Sequence, residues 1–214
     1  MAEHIDKIRL TTDIRYRFEY LSKFINFTKD DINTLNILAP IIFPYIPSIV
    51  QSVYKKLYTY DIIQEYFILR NNDFESFSTD EESNSSVVSA QTDFRKDMLS
   101  VYLKRVLIQT EWNDTFLQFL SQVGEIHSES DHSVPTNVNY VHINLLMGYL
   151  EHLLVDIVWN TECFDWKKKY GAIKAINKFF CIQNDFFTMH CGISIKQEPI
   201  VNNPPKKTGK CLFK

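Results

Sequence analysis

Apolar residues recur at intervals of three and four along most of the chain, and this period predicts a series of amphipathic helices. Thr28, followed by Lys29-Asp30-Asp31, is a good N-cap with acidic residues in the first turn of a helix that runs through Leu38. Prolines 40, 44 and 47 are then expected to break or bend the chain. Further helices are predicted over 46–57, from 94 through 106, and over 116–127, about 138–159 and about 166–190.

Other stretches lack a clear helical period. Tyr16, Phe18 and Tyr20 alternate with charged residues as in a strand, whereas residues 21–25 fit a helix, so this segment is ambiguous. Residues 71–88 are acidic and serine-rich, which predicts a mobile, solvated loop. The predicted organisation is one domain over residues 1–193, followed by a disordered tail over 194–214 with two adjacent prolines.

Composition narrows the fold class and the kind of partner. Only 5 of 214 residues are glycine, which disfavours sandwiches and barrels with their many tight turns and favours long helices. A net charge of −3 gives no reason to expect a nucleic-acid partner. No apolar run of 18 residues and no signal peptide stand out, so a cytoplasmic protein is expected. The four cysteines lie in the last quarter without CxxC spacing and are interpreted as reduced thiols.

One histidine is the strongest candidate for chemistry. His127 ends an apolar helical stripe that begins at Phe116 and includes Leu120 and Val123. An imidazole in this position could offer a nitrogen to the iron of a flat cofactor, and Gly124, one turn earlier, could let that cofactor approach. The alternative is a hydrogen-bonded core histidine, or one that interacts with the helix dipole. Motifs for nucleophilic catalysis, phosphate binding or calcium binding are not found.

Five local motifs, taken in their order and spacing along the chain, support the interpretation of His127 as an iron ligand. They are YRFEYLSKFINFTKDDINTL (16–35), the Val53-Tyr54 pair, FRKDMLSVYL (94–103), VGEIH (123–127) and KFFCIQNDFF (178–187). Together they resemble the protoglobin and globin-coupled-sensor branch of the globin superfamily, over roughly residues 10–193. The resemblance implies an all-α, globin-like fold with an extra N-terminal helix and without the short D helix, in a single-domain member.

The resemblance also implies a site. His127 matches the proximal ligand of a haem b iron, and Tyr54 matches a distal tyrosine that can donate a hydrogen bond to a gas ligand. Val53 stands where some members carry tryptophan, so any gating by that ring is absent. Met98 takes a distal position that is often phenylalanine and would form a softer wall. Further porphyrin contacts are expected from these positions: Leu146, Leu150, Phe94, Val123.

The function implied is reversible binding of oxygen, carbon monoxide or nitric oxide, as a gas sensor or carrier. One alternative is a haem enzyme acting on nitric oxide or peroxide, although the sequence indicates no distal histidine or arginine to assist peroxide cleavage. Another is a haem-free interaction protein.

A homodimer through the last two long helices would suit this branch. The final Cys211-Leu212-Phe213-Lys214 has the layout of a prenylation box behind three lysines, but lysine is not a usual final residue, so membrane association through the tail is not favoured.

Overall fold

The computed structural model of this protein describes residues 2–64, 81–128 and 140–191, with the backbone alone described for 81–91 and 128. All regular elements within these ranges are helical. The α-helices are α1 (Lys7–Thr12), α2 (Ile14–Ile25), α3 (Lys29–Ile42), α4 (Ile46–Leu57), α5 (Glu81–Ile108), α6 (Asp114–Ser128), α7 (Tyr140–Asn160) and α8 (Trp166–His190). A 3₁₀ turn, Phe43–Tyr45, joins α3 to α4, and residues 61–64 are also helical.

The ambiguous N-terminal segment is a helix. Asp13 caps α2 by accepting a hydrogen bond from the backbone N–H of Tyr16, and Phe18 is buried on its inner face. The predicted start of α3 is confirmed, since the Thr28 N–H donates to the Asp31 carboxylate over 2.8 Å in a capping box.

Pro40, which was expected to break or bend the chain, does not break the third helix. α3 continues through it to Ile42. A proline inside a helix removes one backbone hydrogen bond. Burial of Leu38, Ala39 and Ile42 around it offsets that loss. Pro44 and Pro47 instead stand at the first positions of the next helical segments, where a missing N–H costs little.

The predicted loop over 71–88 is wrong for its last residues, because α5 begins at Glu81. Serine and asparagine lower helix propensity by only tenths of a kcal/mol each, and a helix anchored further along can extend through them. Residues 71–80 lie outside the described residues. So do residues 65–70, residues 129–139 and the tail after residue 193. The absence of the short D helix, which was expected at the polar 71–88 loop, stays a prediction.

The last helix is the centre of the molecule. α8 packs against α3, α6 and α7, and nine of its residues are buried. α5 packs instead against α3 and α4, while α6 also contacts α2. The helix that carries His127 and the helix that carries Met98 are therefore held by different neighbours.

A buried hydrogen-bond chain links three of these helices. The Tyr102 hydroxyl of α5 donates to Gln183 Oε1 of α8 over 3.0 Å, and Gln183 Nε2 donates to the Leu120 carbonyl of α6 over 3.2 Å. All three residues are buried, so each of these polar groups has a partner where water cannot supply one. The chain fixes α5 and α6 relative to α8.

By length and composition alone, two described stretches, Lys29–Leu57 and Tyr140–Asn160, could cross a membrane. The same composition is typical of core helices, and both stretches contribute fully buried residues such as Leu38 and Leu150. The expected absence of a membrane span stays a prediction.

Candidate functional site

An apolar stripe on α5 faces the helix that carries His127. Phe94, Met98 and Val101 share one face and are 65%, 49% and 54% exposed. Arg105 continues this face one turn later, and its guanidinium carbon lies 3.8 Å from the centre of the Phe119 ring on α6. The apolar stripe of α5 therefore faces α6.

A matching stripe on α6 forms the opposite wall. Phe119, Val123 and Ile126 follow one another at intervals of four and three and are partly or largely exposed. His127 lies half-buried at the edge of this stripe. The two walls approach each other where Phe119 meets Arg105, and they define what we call the α5–α6 cleft. Exposed apolar surface of this kind is typical of ligand sites.

The imidazole of His127 is oriented by two contacts. Its Nδ1 lies 2.7 Å from the backbone carbonyl oxygen of Val123. Because a carbonyl oxygen only accepts, Nδ1 carries a proton, so in the neutral imidazole Nε2 carries the lone pair. The Phe187 ring of α8 meets the imidazole edge to face, with ring centres 5.5 Å apart and planes at 82°. Nε2 is thus the nitrogen suited to bind a metal.

Gly124 has a different role from the one predicted. Its position is buried, and a Cβ there would lie 2.9 Å from the carbonyl oxygen of Phe186 and 3.1 Å from Cδ2 of His190. The glycine therefore permits the close crossing of α6 and α8, not the approach of a flat cofactor. His190 contributes to the same crossing, since its Nε2 lies 2.7 Å from the Ser121 hydroxyl, and burial lowers its pKa.

Tyr54 lies on α4 at the contact with α5 and is 8% exposed. Burial raises the pKa of its hydroxyl to about 12, and the charge of Arg95 on α5 acts in the opposite direction. The neighbouring Tyr58 and Thr92 hydroxyls lie 2.8 Å apart and join the same two helices.

Arg95 is a polar residue that the sequence reasoning missed on this side. It is half-buried and lies close enough for its charge to act on Tyr54. Its position three residues before Met98 in FRKDMLSVYL could have indicated a neighbour of the predicted distal wall. The expectation that no distal arginine assists peroxide cleavage stays a prediction.

The remaining predicted residues lie on α7. Leu150 is fully buried in the core, and Leu146 is half-buried. Leu146 and Val53 help to line a cavity of about 800 Å³ between α4, α7 and α8. His127, Tyr54 and Met98 do not line this cavity. Phe94, Met98, Val123 and His127 thus lie on the walls of the α5–α6 cleft, whereas Tyr54 lies on α4 and Leu146 and Leu150 lie on α7. The roles of all seven as haem contacts stay predictions.

One exposed histidine pairs with a carboxylate on the surface of α7. His152 Nε2 lies 3.3 Å from the Asp156 carboxylate on the exposed face of α7. The pair has the i, i+4 spacing of helix surface pairs, so His152 is a surface histidine.

These helices and the cleft define a globin-like fold, as predicted. The structure is similar to the globin domain of the Geobacter sulfurreducens globin-coupled sensor, with a TM-score of 0.58 and 14% identity, over 79% of this chain and 94% of that one. The sequence model of the protoglobin family matches residues 14–192, so the chain belongs to the protoglobin family. None of the curated proteins compared with the chain matches it.

Proposed function

We propose that this globin binds haem and, through it, binds a diatomic gas reversibly, as a gas sensor or carrier. Membership of the protoglobin family and the fold shared with a sensor's globin domain support this function. The observation that carries it is the hydrogen bond from His127 Nδ1 to the Val123 carbonyl. That bond leaves Nε2 as the nitrogen with a lone pair, which is the state a proximal iron ligand requires.

The residues of the α5–α6 cleft fit a haem group. A porphyrin is flat and largely apolar, and the cleft offers apolar side chains from both walls, including Met98 and Val123. His127 would hold the iron through Nε2, and Phe187 and the Val123 carbonyl would keep the imidazole plane in place. When bound, haem supplies an iron centre that can take up a gas molecule on its open side.

Tyr54 would act on that open side. Its hydroxyl is protonated at neutral pH, because burial raises its pKa to about 12, and it can donate a hydrogen bond to a gas ligand. A neutral hydrogen bond of this kind contributes roughly 0.5–1.5 kcal/mol.

Absorption spectra of the protein produced with ample haem test the proposal. We expect a sharp Soret band that shifts when the reduced protein binds carbon monoxide. His127→Ala should lose or alter this band, because the proximal nitrogen is gone. His152→Ala is the matched control: it removes an exposed histidine that pairs with Asp156, so its spectrum should match that of the unmodified protein.

Other spectra would point to other functions. No Soret band in the unmodified protein would contradict haem binding and favour a globin-fold interaction protein. A Soret band unchanged in His127→Ala would contradict the assignment of the ligand. Turnover of nitric oxide or peroxide with an added reductant would instead favour a haem enzyme. The cytoplasmic location, the homodimer and haem b as the haem type stay predictions.

A further inference from the structure

The contact between α4 and α5 brings a cation within electrostatic range of the buried tyrosine. The Tyr58 and Thr92 hydroxyls, 2.8 Å apart, fix the register of the two helices. Tyr54 lies one turn before Tyr58, and Arg95 lies nearly one turn after Thr92. The charge of Arg95 acts on the Tyr54 hydroxyl, which agrees with this register.

Arg95 also borders the α5–α6 cleft. Residues three apart on a helix are neighbours on its surface, so Arg95 adjoins Met98, whose side chain belongs to the exposed apolar wall. Arg95 itself is half-buried. Its position on α5 therefore lies between the face that contacts α4 through Thr92 and the apolar wall of the cleft.

The two polar groups together would favour one class of ligand. A guanidinium is always charged and only donates hydrogen bonds, and a protonated tyrosine can donate one more. Hydrogen bonds with a charged partner are shorter and roughly twice as strong as neutral ones. A small anion would gain from both groups, whereas carbon monoxide, which is neutral and a poor acceptor, would gain little.

We propose that Arg95 is a specificity-determining residue on the side of the cleft opposite His127, where it favours small inorganic anions as ligands of the oxidised haem protein. This inference rests on the proposed function, since it needs haem in the α5–α6 cleft. It gives the site a second ligand class besides the diatomic gases.

Two ligands measured on the same haem-loaded protein test the inference. Fluoride is titrated into the oxidised protein, and carbon monoxide into the reduced protein, with both followed by absorption spectra. We expect Arg95→Gln to weaken fluoride binding roughly tenfold or more and to change carbon monoxide affinity by less than about twofold. Arg95→Lys keeps the charge without the planar donor geometry and should retain part of the fluoride affinity.

The matched control removes the same charge from the next residue. Lys96 pairs with Asp93 on the surface of α5 at 3.0 Å, so Lys96→Gln should leave both affinities unchanged. Equal fluoride affinity in the unmodified protein, Arg95→Gln and Arg95→Lys would overturn the inference while leaving haem binding intact. Parallel losses for both ligands in Arg95→Gln would also overturn it, because they would indicate a damaged pocket. A protein that takes up no haem would overturn the proposed function itself.

Discussion

At the scale of single residues, the sequence singled out His127 but did not predict which residues of other helices surround it. His127 stands out because its spacing from Phe116, Leu120 and Val123 is visible along the chain. Which helix covers each face is not visible there. Gly124 was consequently assigned to a cofactor, whereas it lies against the Phe186 carbonyl of α8. Arg95 was missed for the same reason, since its nearness to Tyr54 depends on how α4 and α5 cross.

Removal of the Tyr54 hydroxyl should speed the release of oxygen. Tyr54→Phe keeps the ring and removes one neutral donor, so we expect an off-rate higher by up to about tenfold. Because the pKa of Tyr54 is about 12, the hydroxyl stays protonated at lower pH, and the difference from the unmodified protein should be constant from about pH 6 to about pH 10. Stopped-flow measurement of oxygen release at several pH values checks both parts.

Tyr170→Phe is the control for this substitution. Tyr170 is 61% exposed on α8, away from the contact of α4 with α5, so loss of its hydroxyl should leave the off-rate near that of the unmodified protein. An unchanged off-rate in Tyr54→Phe would remove Tyr54 from the ligand side.

At the scale of elements, periodicity located the helices well and their ends less well. The predicted limits of α7 and α8, about 138–159 and 166–190, agree closely with the observed Tyr140–Asn160 and Trp166–His190. Sustained apolar stripes explain this agreement, and in the structure the Asp165 side chain caps α8 by accepting from the Lys168 N–H. The early start of α5 and the passage of α3 through Pro40 could not be predicted, because packing and propagation override weak local preferences there.

Two glycine substitutions separate helix propensity from helix packing. Gly124→Ala should destabilise the fold by roughly 1–3 kcal/mol, because its Cβ would meet backbone oxygen of α8 at 2.9 Å and force α6 away. Gly171→Ala, inside α8 with no atom within 4 Å of the added Cβ, should instead stabilise by up to about 1 kcal/mol. Urea unfolding of the three proteins measures both effects. Equal stabilisation by the two alanines would show that α6 and α8 cross less closely than described here.

At the scale of the whole molecule, the arrangement around α8 explains why a cleft forms. α6 lies on α8 and α2, whereas α5 lies on α3 and α4, so the two walls belong to different groups of helices. The Tyr102–Gln183–Leu120 chain and the contact of Arg105 with Phe119 hold them together at one end. The order of helices followed from the resemblance, but this grouping did not follow from any single helix, because it depends on contacts far apart in sequence.

Haem should therefore stabilise the whole fold by joining the two walls. A ligand present at about 1,000 times its dissociation constant adds roughly 4 kcal/mol to the free energy of unfolding. For a domain of about 150–250 residues, each kcal/mol raises the melting temperature by roughly 2–4 °C, so the holo form should melt about 8–16 °C above the apo form. Thermal unfolding followed by circular dichroism measures the difference.

The same experiment on variants shows whether the difference in melting temperature between apo and holo forms depends on His127. His127→Ala should lose most of the gap between apo and holo forms, because porphyrin burial alone would then link α5 to α6. His152→Ala, with its change on the exposed face of α7, should keep the full gap. If the unmodified apo and holo forms melt together, haem does not bind tightly between the walls. If His127→Ala keeps the full gap, the cleft binds porphyrin without help from its histidine, and the iron must find its ligand elsewhere in the chain.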